Sequence, residues 1–276
     1  MGKSRALFKL AAVALTVSLG VSAPSAQAAE PVPSVLKVGT CPGPYRGMIE
    51  TFIEPKLKAQ GYTLEYVDFI DYVQPDAALD SGDIDVNLMQ HQSYLDAIVK
   101  NQGLKLSAVI NVPTLGLGVF SDKYKTIDEL PDGARIGIPV DAVNLARALR
   151  IAKENGLISL NSERDEQKAS VADIAENPKH LEFVPIEAAQ ISRSLDSLDA
   201  GFVPGNYAVA AKLDYSKALA VEDVRENIKN VIAVRTADKD TIGKLFLDVV
   251  KAPEFKKELE ADHYYDSFSR PSWWNK

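Results

Sequence analysis

Three stretches of this chain concentrate side chains that could hold a small polar molecule. The first joins Phe69-Ile70-Asp71-Tyr72 to Asn87-Leu88-Met89-Gln90-His91-Gln92-Ser93-Tyr94. Met89, His91 and Tyr94 together offer polarizable, aromatic and hydrogen-bonding surface. They fall where a strand runs into a helix, a place where α/β proteins put ligand-binding groups; ordinary junction packing is the competing reading. The second stretch is Asn144-Leu145-Ala146-Arg147. Residues three apart share a helical face, and an arginine can hold a carboxylate through two parallel charge-assisted hydrogen bonds. Against this stands the default of a solvated arginine. The third is Asn206 in Pro204-Gly205-Asn206-Tyr207, read as a turn, where asparagine serves either the turn itself or a ligand contact.

Catalytic chemistry is poorly provided for. His91, His180 and His263 stand in no metal-ligand spacing such as His-Glu-x-x-His. No Gly-x-Ser-x-Gly elbow, Walker-type loop or dinucleotide fingerprint occurs. Gly39-Thr40-Cys41-Pro42-Gly43-Pro44 follows a strand, but its two prolines lack the backbone donors that a phosphate cradle needs. Cys41 could act as a nucleophile with His91 as its base, although no local signature supports the pair. As the only cysteine, Cys41 excludes an intramolecular disulfide and a Cys-based zinc or iron–sulfur site. These residues argue against an enzyme, and no cofactor or metal is expected.

Short β-type runs alternate with helical patterns along the chain. Strands are expected at Val35–Gly39, Tyr62–Phe69, Ile84–Leu88 and Leu104–Ile110, with helices at Arg46–Gln60 and Ser93–Lys100. A second set begins with the strand Arg135–Pro139 and a helix capped near Asp141–Asn144 that runs to Glu154 and stops at Gly156. Strands follow at Leu181–Ile186, Gly201–Val203 and Asn230–Arg235, with helices at Glu187–Leu198, Lys239–Val250 and Pro253–Ala261. This alternation argues for parallel sheets in an α/β fold of two lobes. The chain is expected to cross between them near Pro113–Asp122 and Glu226–Arg235.

The N-terminus has a basic start (Lys3, Arg5, Lys9), an apolar run from Leu10 to Ala23 and the small-x-small end Ala26-Gln27-Ala28. That is the pattern of a secretory signal peptide over residues 1–28, followed by a flexible lead-in at 29–34. The apolar run is too short for a membrane anchor, and no cysteine lies near the cleavage site to accept a lipid. The remaining 248 residues carry 28 basic against 38 acidic residues, a net of −10. So acidic a body excludes nucleic acid or an anionic membrane surface as a bulk electrostatic partner. A soluble, exported, monomeric protein is expected.

The motifs read in order are Asp71-Tyr72-Val73-Gln74-Pro75, Gly82-Asp83-Ile84-Asp85-Val86-Asn87, Gln90-His91-Gln92-Ser93-Tyr94-Leu95-Asp96, Asn144-Leu145-Ala146-Arg147-Ala148-Leu149, Glu176-Asn177-Pro178-Lys179, Glu187 through Asp196, and Gly205-Asn206-Tyr207-Ala208. Together they resemble the methionine-binding lipoprotein (NlpA) family of ABC-importer substrate-binding proteins over nearly all of the chain after residue 28. The resemblance implies a two-lobed, periplasmic-binding-protein-like (type 2) fold that closes on an amino acid in the cleft between lobes. It implies one lobe of 35–118 plus 231–276 and a second of 119–230, in the periplasm, with the membrane permease of an ABC importer as partner. By this resemblance Tyr72, His91 and Tyr94 line the side-chain pocket, Arg147 clamps the α-carboxylate, and Asn144 sits beside it. The sequence departs from the family pattern at Met89, where phenylalanine is usual, at Pro204, where asparagine is usual, in the first crossing Asn111-Val112-Pro113-Thr114-Leu115-Gly116, where aromatic and polar residues are usual, and in lacking the lipid-anchor cysteine. A small organic acid without an α-amino group, and an enzyme on the same fold, are the alternative readings.

Overall fold

The computed structural model describes residues 32–163 and 165–275. The signal peptide expected at 1–28 and the first residues of the lead-in lie outside the described residues. The first run of elements is β1 (Val35–Thr40), α1 (Pro44–Met48), α2 (Glu54–Ala59), β2 (Thr63–Asp68), α3 (Gln74–Ser81), β3 (Val86–His91), α4 (Gln92–Gln102) and β4 (Leu106–Asn111). There follow β5 (Gly118–Phe120), β6 (Arg135–Pro139), α5 (Ala142–Glu154), β7 (Ser159–Leu160), β8 (Ile174–Glu176), β9 (Glu182–Ile186), α6 (Ala188–Ile191), β10 (Ala200–Val203), α7 (Gly205–Ala210) and β11 (Ala220–Val221). The chain closes with β12 (Asn230–Arg235), α8 (Lys244–Lys251) and α9 (Pro253–Ala261).

Two five-stranded sheets organise these elements, in the orders β2-β1-β3-β12-β4 and β11-β5-β10-β6-β9. The expectation of parallel sheets is corrected to mixed ones. β1 runs parallel to β2 and β3, and β6 parallel to β9 and β10. β12 runs antiparallel to both β3 and β4, and β5 antiparallel to β10 and β11. The reason is connectivity: the chain leaves the first sheet after β4, builds the second, and returns as β12 beside the strands it left. It passes between sheets through residues 112–117 and 222–229. Each sheet has its own apolar core. Leu36, Val38, Phe246 and Phe255 belong to the core on the first sheet, and Ile136, Ile138, Leu149 and Phe202 to that on the second.

Local deviations from the expected elements have physical causes. The helix expected over Arg46–Gln60 is interrupted by a π-helical turn at Ile49–Ile53. Pro55 lies in the next turn, has no N–H to donate back, and its ring crowds the carbonyl four residues earlier, at Thr51, so a wider turn accommodates it. The helix expected over Glu187–Leu198 is regular only at Ala188–Ile191 before tightening into a 3₁₀ turn at Ser192–Ser194, although Ile191, Leu195 and Leu198 all remain buried. Pro204-Gly205-Asn206-Tyr207 is the start of α7 rather than an isolated turn, with Pro204 as its cap residue. Among the described residues, no helix is long and apolar enough to cross a membrane.

Candidate functional site

Arg147 is positioned by helix α5, whose start is written into the sequence. The Asp141 side chain accepts the Asn144 backbone N–H at 2.9 Å, satisfying one of the free donors of the first turn. The following Ala-, Leu- and Arg-rich segment has high helix propensity, and Gly156 just beyond its end adopts a φ of 72°. Every residue of α5 from Ala146 to Ala152 is buried, the two arginines included. Arg147 is therefore not the solvated helix residue that its type suggests by default.

His91 ends β3 and caps α4. Its Nδ1 accepts the Tyr94 N–H at 3.1 Å, which leaves the proton of the neutral ring on Nε2. Nε2–H then donates to Asn144 Oδ1 at 3.1 Å, so a residue of the first sheet is joined to one on the helix that follows β6 of the second. Burial, together with the charge of Arg147, pushes the His91 pKa down to about 3, so the ring is neutral at any physiological pH. Asn144 is fully engaged: its Nδ2 donates to both Asp141 oxygens, at 3.1 and 3.2 Å, while its Oδ1 also accepts Arg147 Nη1 at 3.3 Å. Its amide works as an orienting bridge.

Asn206, in the first turn of α7, makes a second bridge. Its Nδ2 donates to the Pro42 carbonyl at 2.9 Å, and its Oδ1 accepts the Tyr72 hydroxyl at 2.5 Å. The approach depends on Gly43, whose φ of 131° suits glycine and where an added Cβ would lie 2.7 Å from Asn206. The Tyr72 ring packs against Tyr94 and Tyr207 at centroid distances of 5.8 and 5.0 Å.

All seven candidates from the sequence, Tyr72, Met89, His91, Tyr94, Asn144, Arg147 and Asn206, line one cavity. It lies between the two sheets and encloses about 20 Å³, little more than one water molecule needs. The sequence candidates do not include Tyr45, Gln90, Thr114, Leu115 and Asn230, which line it too, although Thr114 and Leu115 lie in the crossing noted above for departing from the family pattern. Thr114, Leu115 and Asn230 lie in or beside the crossing segments, which carry no local motif. Gln90 was visible within its motif but gave no separate signal. A larger cavity of about 510 Å³ is lined by α4, α5, residues 165–168 and the second crossing at Arg225, Asn227 and Ile228; among the described residues it shares Arg147 with the first.

Behind the cavity lie two acids of opposite behaviour. Asp76 is fully buried, and its Oδ1 accepts Asn87 Nδ2 at 3.0 Å and Gln90 Nε2 at 2.6 Å, while its Oδ2 has no partner. Burial outweighs those two bonds and pushes Asp76 up to about 6. Glu222 is equally buried, yet it faces Arg147, the Leu117 N–H and Arg150. These outweigh the cost of burial and hold its carboxyl below the usual range. Cys41 does not suit nucleophilic work. Its Sγ–H donates to the Asp71 carbonyl at 3.1 Å, and burial together with Asp71, Asp76 and Asp68 pushes the thiol up to about 12. Among the described residues, no group of three or more His, Cys, Asp or Glu side chains could hold a metal ion.

The family model for NlpA lipoprotein matches residues 36–273. The chain belongs to the NlpA lipoprotein family. As an NlpA protein it is 34% identical over 241 residues, covering 86% of each chain, to the D-methionine-binding lipoprotein MetQ of Escherichia coli strain K12. Its fold is that of solved relatives. One is a nutrient binding protein from Burkholderia cenocepacia bound to methionine, at 37% identity and a TM-score of 0.79, with 85% of this chain and 99% of that one covered. Another is a putative methionine-binding lipoprotein from Bacillus subtilis, at 30% identity and a TM-score of 0.80, covering 86% and 98%. The NlpA chain thus has the two-lobed type 2 periplasmic-binding fold.

Proposed function

We propose that this protein is the extracytoplasmic receptor of an ABC importer and captures methionine, or an amino acid closely related to it, between its two sheets. The observation that carries this reading is the placement of Arg147. It is a buried guanidinium facing the same small cavity as Tyr72, Met89, His91 and Tyr94. Such an arginine suits an α-carboxylate, and the opposite wall suits a flexible thioether side chain. That the B. cenocepacia relative is described as bound to methionine supports the same ligand. Burying a zwitterion requires partners for both of its charges. Micromolar capture needs about 8 kcal/mol, within reach of one charge-assisted pair plus burial of a side chain.

Residues 35–118 with 231–276 form one lobe in this proposal, and 119–230 the other. A cavity of about 20 Å³ is too small for an amino acid, so the lobes separate to admit one. The crossing segments 112–117 and 222–229 are the hinge, and the membrane permease senses its closure. Residues 1–28 direct export to the periplasm and are removed. With no cysteine there to carry a lipid, the receptor is free in the periplasm, and in this proposal it acts as a non-catalytic monomer. Mass spectrometry of ligand released from denatured, freshly purified protein tests the reading, together with a thermal-shift screen over L- and D-amino acids. Methionine or a near analogue should be released and should raise the melting temperature by several degrees. Release of an acid without an amino group, and no shift with any amino acid, would contradict it.

A further inference from the structure

We infer that Glu222 is the positioning residue of this cavity: it holds Arg147 by one edge, so that only the Nη1–Nη2 end of the guanidinium meets a ligand carboxylate. The inference rests on the carboxylate-binding role proposed for Arg147. The Glu222 side chain is 0% exposed and that of Arg147 6%. Arg147 Nε donates to both Glu222 oxygens, at 2.9 and 3.0 Å, and Nη2 donates to Oε2. A guanidinium has five N–H donors fixed in one plane. Glu222 takes those of the Nε–Nη2 edge, and Asn144 Oδ1 takes one from Nη1. What remains for a ligand is the end-on fork.

The same carboxylate orders its other neighbours. Arg150 Nη2 donates to Oε1, and the Leu117 N–H donates to Oε2 at 3.1 Å. Arg147 and Arg150 lie three apart on α5, a spacing at which like charges repel. Glu222 joins them, and Glu154 holds Arg150 from its far side at 3.1 and 3.2 Å. Two buried guanidiniums share one buried carboxylate, and Glu154 offsets the second, so Arg147 keeps its charge beside the cavity within a compensated network. Leu117 ends one crossing segment and Glu222 begins the other. The aim of Arg147 is thereby fixed by both crossings as well as by its own helix.

The test compares calorimetric binding of L-methionine and L-methioninamide to the wild type, to Glu222→Gln and to the double variant Glu222→Gln/Arg150→Met. The double variant restores the net charge of the trio without restoring the hold on Arg147, and it avoids two unpaired buried cations should the single variant fail to fold. Methionine affinity should fall about 10-fold or more in both variants, the scale of one misaligned charge-assisted pair. Amide affinity should change less than about 3-fold, so the preference for acid over amide shrinks. Equal losses for both ligands, or a wild-type preference in the double variant, would overturn the positioning role. A wild type that binds neither ligand, nor D-methionine or D-methioninamide, would instead overturn the methionine reading, and this inference with it.

Discussion

On one side of the cavity stand Tyr72, Met89, His91 and Tyr94, carried by β3, α4 and the loop before α3. On the other stand Asn144 and Arg147 on α5, with Glu222 and Arg150 behind them. The first wall is neutral: its one histidine is held uncharged by burial and by Arg147. The second is a buried ion network whose members compensate one another. The contrast teaches how such a cavity can take a zwitterion. In the proposed reading one wall takes the side chain through packing, while the other presents Arg147 already held in place, so little reorganisation is needed when a carboxylate arrives.

Arg147→Ala should break the comparison most severely. It leaves Glu222 with fewer partners and should cost about 3–5 kcal/mol of stability in denaturant unfolding. Methionine binding should weaken by about 100-fold or more, equivalent to about 3 kcal/mol. Survival of binding within a few-fold would show that the charged wall does not face the ligand.

Asp76 tests the neutral wall, since it is the acid buried behind Gln90. Its folded pKa of about 6 lies above the ordinary 3.8. Its contribution to stability is therefore fully present below pH 3.8 and lost as pH rises through 6. Asp76→Asn should consequently raise stability at pH 7.5 by up to about 3 kcal/mol, with the gain vanishing near pH 4. Equal gains at both pH values would contradict the assignment.

His91 runs in the opposite direction. Its folded pKa of about 3 lies below the ordinary 6.5, so its contribution is complete above 6.5 and is lost as pH falls below it. Wild-type stability should drop by about 2 kcal/mol between pH 6.5 and 5 from this group, and His91→Gln should flatten that part of the curve. Tyr72→Phe should have the smallest effect. Losing the hydroxyl bond to Asn206 should cost about 1 kcal/mol, read as a roughly five-fold loss of methionine affinity by calorimetry.

How much of this was legible in the sequence depended on whether the cause was local. β6, β12 and α9 follow the sequence pattern residue for residue, because alternation, capping and proline placement act over a few positions. The seven candidate side chains were legible because they cluster in short motifs at element ends. Helix α3 was not legible: it is a single eight-residue element with few apolar positions. Asn206 was read into a turn because Pro204-Gly205 resembles one, whereas Pro204 caps a helix. Glu222 was invisible for a deeper reason. Its partners Arg147, Arg150 and Leu117 lie 75, 72 and 105 residues away, so only the folded chain makes it part of the site.

The central claim is that a buried arginine on one wall reads the carboxylate of an amino acid whose side chain lies on the other. Isothermal titration of the wild-type protein with L-methionine, D-methionine and L-methioninamide tests it most directly. The account predicts a 1:1 complex with at least one methionine enantiomer at micromolar strength or tighter, and binding of the amide weaker by about 100-fold. Equal affinity for acid and amide, or no heat with either enantiomer, would contradict it.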